Sequence, residues 1–230
     1  VKRLESSFYA FKMSLSRLDT NTNHMIKMFE EDKIYVAPDV DVNKYLNEGN
    51  EEGLEEKINS KGGNNQIYNA ADFKEDFVEL LKADKKIINE LVNEWAKIDY
   101  DPKLDKFLRD LKSKFLNKKN NHSGKLVIFS ESKETINYLS DTLQDLGVNK
   151  ILAISAANRK DKFPTIQLNF DANQDKAVWE NEYDIILTTE VLAEGVNLHR
   201  SNVIINYDVP WNSTRLMQRI GRVNRIGSVA

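Results

Sequence analysis

Two short apolar runs near the end of the chain, Ile185–Leu187 and Val203–Ile205, constrain the fold most. Each is three or four residues long and bounded by polar residues. Such runs suit strands buried on both faces of a parallel sheet. The first leads into Thr188, Thr189 and Glu190, then Gly195 and Asn197; the second leads to Asp208, Pro210 and Trp211. In open α/β sheets ligands bind at the carboxyl ends of the strands, where both polar clusters would fall. A helix start follows at Asn212–Ser213–Thr214, and then Gln218, Arg219, Gly221, Arg222 and Arg225. The three arginines are spaced by three, so on a helix they share roughly one face. Guanidiniums gathered on one face call for an anion opposite, and phosphate matches their planar fork of donors.

Further apolar runs at Lys125–Phe129 and Lys150–Ile154 bring the expected strands to four. Between the first two lies an amphipathic segment, Ser132 to Leu146, closed by Gly147, a favoured residue just past a helix end. Asp101–Pro102 starts a helix running to about Phe115, with proline at a favoured first-turn position. Ser155 to Tyr183 is long for a crossover and is expected to hold one helix plus an insertion. This alternation argues for an α/β fold with a parallel sheet flanked by helices.

These residues resemble a known family. Thr188–Asn197 looks like motif V of the superfamily-two helicases, Gln218–Arg225 (Q-R-I-G-R-V-N-R) looks like motif VI, and Ser130–Glu131 resembles motif IV. The continuation into Ile226–Gly227 is similar to the Swi/Snf-type and bacterial RapA-like branch; the DEAD-box branch would have His where Gln218 stands. The resemblance implies a RecA-like domain over residues 101–230, the second motor lobe of an ATP-dependent helicase or translocase acting on nucleic acid, double-stranded DNA in that branch. It assigns Arg222 and Arg225 as catalytic arginine fingers on the γ-phosphate. Gln218, Gly195 and Asn197 fall at nucleotide-facing positions, and Asn197 stands where the DEAD-box branch has Asp. Thr189 and Ser130 match positions that contact nucleic-acid phosphates, although Ser130 has a simple turn role as its alternative. Arg219 reads as a structural tie to a carboxylate. Glu190 could cap a helix or contact an arginine, and Trp211 could stack on a base or pack under Pro210.

The upstream part reads differently. Residues 1–100 are expected to form a helical accessory region. Leu4, Phe8, Phe11, Leu15 and Leu18 mark an amphipathic helix, or two, between Lys2 and Glu30, which Asp19–Asn23 could break. Residues 39–65, acidic and carrying Gly49, Gly53, Gly62 and Gly63, read as a loop. Asp72 to Trp95 reads as a helix burying Phe73, Phe77, Leu80, Leu81, Ile88, Leu91, Val92 and Trp95.

A motor ATPase needs a phosphate-cradling loop and an acidic magnesium motif. No G-x-x-x-x-G-K-S/T sequence occurs: Ser123–Gly124–Lys125 comes nearest, but Leu126 replaces the hydroxyl and the strand follows it. ATP and Mg2+ are therefore expected mainly on an N-terminal RecA-like lobe of the same protein, this chain being a fragment inactive on its own. The rival expectation is a non-catalytic nucleic-acid or protein interaction module. With no cysteine, thiolate metal sites and disulfides are excluded and a reducing cytoplasm is the expected setting. His199 has no second ligand nearby, so no metal site is expected, and no apolar run has the ~18 residues of a membrane span.

Overall fold

The computed structural model describes residues 2–223. The chain divides into two units, one of Val1–Phe11 with Tyr100–Ala230 and one of Lys12–Asp99. The elements in chain order are helices α1 (Lys2–Ser6) and α2 (Phe8–Glu30), strand β1 (Ile34–Val36), helices α3 (Val42–Asn47) and α4 (Glu51–Lys61), and strand β2 (Gln66–Tyr68). Helices α5 (Phe77–Ala96) and α6 (Pro102–Asp110) follow, then β3 (Leu126–Phe129), α7 (Lys133–Asp145), β4 (Ile151–Ile154), α8 (Arg159–Phe170), β5 (Ile185–Thr188), β6 (Val203–Asn206) and α9 (Ser213–Val223).

The larger unit is built on a four-stranded sheet of order β4-β5-β3-β6 in which every pairing is parallel. Helices cover both faces, giving the RecA-like arrangement expected. The two central strands are buried along their whole length, which is why they read as unbroken apolar runs. Alternation sends Leu126 and Ile128 to one face, against Phe107 of α6 and Ile136, Leu139 and Leu143 of α7. Val127 and Phe129 point to the other, against Ile166 and Phe170 of α8 and Val223 of α9.

Local signals set the helix ends. Ser132 accepts a hydrogen bond from Thr135 N and starts α7, and Gly147, with φ of +78°, supplies the left-handed turn after it. Asp101 accepts from the amides of Lys103 and Leu104, with Pro102 in the first turn of α6. That helix ends in one π-helical turn, Leu111–Phe115. The connection after α8 is fastened by Arg200, which donates to Leu168 O and Glu180 O and lies over the Trp179 ring.

The smaller unit corrects the reading of residues 39–65 as a loop. Two helices lie there. Asp41 caps α3 by accepting from Lys44 N, and Asn50 caps α4 by accepting from Gly53 N. Leu54 and Ile58, four residues apart, bury one face of α4 among Met28, Phe29, Ile34 and Tyr35. The residues that suggested turns are the caps, the solvated face and the terminating Gly62 and Gly63, both with positive φ. Strands β1 and β2 pair antiparallel, Tyr35 opposite Ile67.

The smaller unit ends at Asp99 and the sheet-bearing unit resumes at Tyr100. Residues 1–11 belong with the sheet-bearing unit because Arg3, Ser6 and Ser7 hydrogen-bond to its residues Glu134, Ser130 and Thr135. The polar stretch Asp19–Asn23 lies inside α2 and does not break it; Thr22 Oγ1 donates to Leu18 O one turn back. Of the face expected to be buried on α5, Ile88 is buried whereas Leu80 and Leu91 are exposed.

Candidate functional site

Parallel register brings distant residues to one edge. Phe129 of β3 lies opposite both Thr188 of β5 and Asn206 of β6. The next residues, Ser130, Thr189 and Tyr207–Asp208, therefore emerge together at the carboxyl edge. Ser130 N donates to Thr188 O and Tyr207 N to Phe129 O, extending the ladder by one step each.

Ser130 is fully enclosed there. Its hydroxyl donates to Asp208 Oδ2 at 2.6 Å and accepts from Ser132 N at 3.1 Å. Its hydroxyl faces protein groups. Thr189 is half-buried, and its carbonyl accepts from Thr188 Oγ1. It opens a single helical turn, Glu190–Leu192.

Gly195 has φ of +73°, a left-handed conformation that favours glycine. A Cβ there would meet Arg159 Nη2 at 2.9 Å. Arg159 donates to Glu194 O at 2.8 Å, so the first residue of α8 holds the Glu194–Gly195 turn. Asn197 donates to Asp171 Oδ2 at 3.3 Å, tying this loop to the end of α8. His199 lies between Asp171 and Asn173, and among the described residues no group of three His, Cys, Asp or Glu could hold a metal ion.

Helix α9 is anchored by Arg219, the largest fully buried side chain among the described residues. Its Nε donates to Glu190 Oε1 at 2.7 Å, Nη2 contacts the same oxygen, and Nη1 donates to Asn206 Oδ1 at 2.8 Å and Asp208 O at 3.3 Å. The carboxylate tie expected for Arg219 is Glu190. The preceding residue, Gln218, donates to Glu194 Oε1 at 3.0 Å. Arg222, half-buried, accepts a hydrogen bond at its carbonyl from Leu198 N. Motifs V and VI are thus stitched together by both side chain and backbone. Arg225, with Ile226 and Gly227, lies outside the described residues.

Residues 103–227 match the family described as the helicase conserved C-terminal domain, more than half of the chain. The chain belongs to that family. Among relatives of this helicase C-terminal domain is an uncharacterized ATP-dependent helicase, YqhH, of Bacillus subtilis (strain 168), 35% identical over 103 residues, which are 45% of this chain and 17% of YqhH. The ATP-dependent RNA helicase DbpA of the same organism is 30% identical over 102 residues, 44% of this chain and 19% of DbpA. The chain therefore aligns with less than a fifth of the length of these two relatives. Among solved structures, the C-terminal part of the Fun30 ATPase domain aligns with a TM-score of 0.46 at 20% identity, covering 97% of this chain and 66% of that one.

Sequence reasoning passed over two participants in the helicase domain. Arg159 was legible only as one of several basic residues in a long crossover, yet with Ala156, Lys160, Phe163 and Val191 it lines a cleft of about 470 Å³ beside motif V. Asp208 reads in the sequence as a polar strand end, with nothing nearby along the chain to reveal its partners. Trp211 is 67% exposed, and its Nε1 donates to Glu5 Oε2 at 3.0 Å, so it does not pack beneath Pro210. No helix among the described residues is long and apolar enough to cross a membrane.

Proposed function

We propose that this chain is the second motor lobe of an ATP-dependent nucleic-acid helicase or translocase of the Swi/Snf-type, RapA-like branch, acting on double-stranded DNA. Its partner is an N-terminal RecA-like lobe of the same protein, which holds ATP and Mg2+. The observation that carries the reading is the burial of Arg219 against Glu190 and Asn206. Through it α9 is held at the carboxyl edge of the sheet.

The donor set fits a triphosphate. Gln218, Arg222 and Arg225 combine one amide with two permanently cationic planar forks, the chemistry that recognises phosphate oxygens. ATP, when bound, supplies the phosphoryl group to be transferred. This chain's arginines neutralise charge on that group as it develops. Gln218 and the Gly195–Asn197 turn orient the nucleotide's side of the lobe. Thr189, at the start of a helical turn, offers its hydroxyl to a nucleic-acid phosphate. Ser130 is the second candidate for a phosphate contact on that edge. Basic residues outnumber acidic ones in this unit, while the reverse holds for Lys12–Asp99. That balance favours the sheet-bearing unit as the nucleic-acid-binding one.

The test is steady-state ATP hydrolysis by the full-length protein carrying Arg222→Ala. ATP and DNA binding are expected to persist while turnover falls by about 10³–10⁵, as for arginine fingers elsewhere. Arg222→Lys should not restore it, because a point charge lacks the bidentate fork. Parental turnover in Arg222→Ala would overturn the assignment and favour an interaction module. Stimulation by RNA but not by DNA would overturn the substrate reading alone.

A further inference from the structure

Asp208 is a buried residue on which three separate segments converge, two at its carboxylate and one at its backbone carbonyl. Its Oδ2 accepts from Ser6 Oγ at 2.5 Å and from Ser130 Oγ at 2.6 Å, and its Oδ1 accepts from Glu131 N at 2.7 Å. Its backbone carbonyl accepts from Arg219 Nη1 at 3.3 Å. One residue therefore joins the leading helix α1, the turn after β3, and the arginine helix α9.

The hydroxyls around it have a direction. Ser6 gives its one proton to Asp208 Oδ2, so it can only accept elsewhere. Ser6 then accepts from Thr135 Oγ1 at 2.8 Å, and Thr135 in turn accepts from Ser7 Oγ at 2.8 Å. Ser7 Oγ accepts from Ala10 N at 3.0 Å. Each hydroxyl gives its one proton towards Asp208.

The leading segment is fastened around this line. Lys103 Nζ donates to the carbonyls of Glu5 at 2.6 Å and Ser6 at 2.8 Å, and lies 4.4 Å from the Tyr207 ring centre. Arg3 reaches Ser132 and Glu134, and Glu5 receives Trp211 on the loop that enters α9. A buried network of this kind is costly to half-satisfy. Withdrawing α1 would take the Ser6 hydroxyl from the Asp208 side chain, whose backbone carbonyl is bound to Arg219.

We propose that Asp208 is a positioning residue that couples the leading segment Lys2–Phe11 to the arginine helix, so that the seating of α9 depends on Ser6 being docked. The proposal rests on α9 carrying the catalytic Arg222. The experiment uses the full-length protein with Ser6→Ala, Asp208→Asn and the pair. It measures turnover per folded molecule, KM for ATP, duplex DNA affinity, and amide exchange across residues 213–223. Ser6→Ala is expected to speed exchange in α9 and to lower kcat by about 2- to 10-fold, the worth of one hydrogen bond. KM and DNA affinity should stay near parental values, and the double variant should fall no further than Asp208→Asn. Should Asp208→Asn not fold, Ser6→Ala alone decides. A network that merely seals the unit would lower the thermal midpoint of Ser6→Ala and leave α9 exchange and kcat untouched, which overturns the proposal. Faster α9 exchange in Ser6→Ala, together with parental turnover in Arg222→Ala, would uphold the coupling and reject the arginine reading.

Discussion

Arg219 and Glu190 form an ion pair between motifs VI and V, with Arg219 Nε donating to Glu190 Oε1 at 2.7 Å and no part of the arginine reaching solvent. Breaking a buried pair leaves an uncompensated charge inside. Glu190→Ala is expected to cost about 3 kcal/mol, the lower end of the usual range because water reaches Glu190. Arg219→Met with Glu190→Gln should recover most of that loss, since apolar packing replaces a charge that no longer needs a partner. Urea unfolding reads both. An unchanged midpoint in Glu190→Ala would mean that the pair does not hold α9.

Thr189→Ala separates the two halves of the proposed function. In the full-length protein, basal ATP hydrolysis should be largely retained while DNA stimulation weakens about tenfold, as expected for losing one hydrogen bond to a charged phosphate. Paired ATPase and filter-binding titrations measure it. Equal loss of basal and stimulated rates would remove Thr189 from the nucleic-acid surface.

Lys125 gives the fold a pH dependence. It is almost wholly buried, donates to Tyr183 O at 2.7 Å, and lies 4.7 Å from the Phe170 ring centre. Burial, with the Arg200 charge adding to it, brings its pKa down to about 8. Between that value and the ordinary 10.5 the unfolded chain binds the extra proton, so this group's contribution to stability rises with pH. The parental protein should gain stability relative to Lys125→Met between pH 7 and about 9.5. Denaturant titrations at those two pH values test the difference, and a gap that stays constant would count against a depressed Lys125.

Leu54 tests the smaller unit. It is fully buried on α4. Leu54→Ala should destabilise by about 2–5 kcal/mol through lost burial and the cavity left behind. A solvated loop at residues 39–65 would tolerate the change, so a thermal midpoint equal to the parental one would reject the helical core.

Much of the sheet was legible. The strands at Leu126, Ile151, Ile185 and Val203 stand where their apolar runs do, and Ser132, Asp101 and Gly147 mark helix ends through bonds made within a few residues. Short-range chemistry of that kind is readable from a window of sequence. The helices in residues 42–61 were not, because their caps are the same Asp, Asn and Gly residues that build turns. Only the burial of Leu54 and Ile58 against Met28, Phe29 and Ile34 separates the two outcomes.

The amino-acid sequence by itself determined the class of fold and the motif-bearing helix, since apolar periodicity and the Q-R-I-G-R-V-N-R spacing are local properties of the chain. It also determined that Arg219 and Arg222 would lie near one another on one helix. Only the tertiary structure decided that the carboxylate anchoring Arg219 is Glu190, that Ser130 turns inward, and that Ser6 meets Asp208 across 202 residues of chain. The physical reason is range. A strand or a cap is selected by neighbours along the backbone, whereas a buried polar group must find its partner wherever the strand order β4-β5-β3-β6 delivers one.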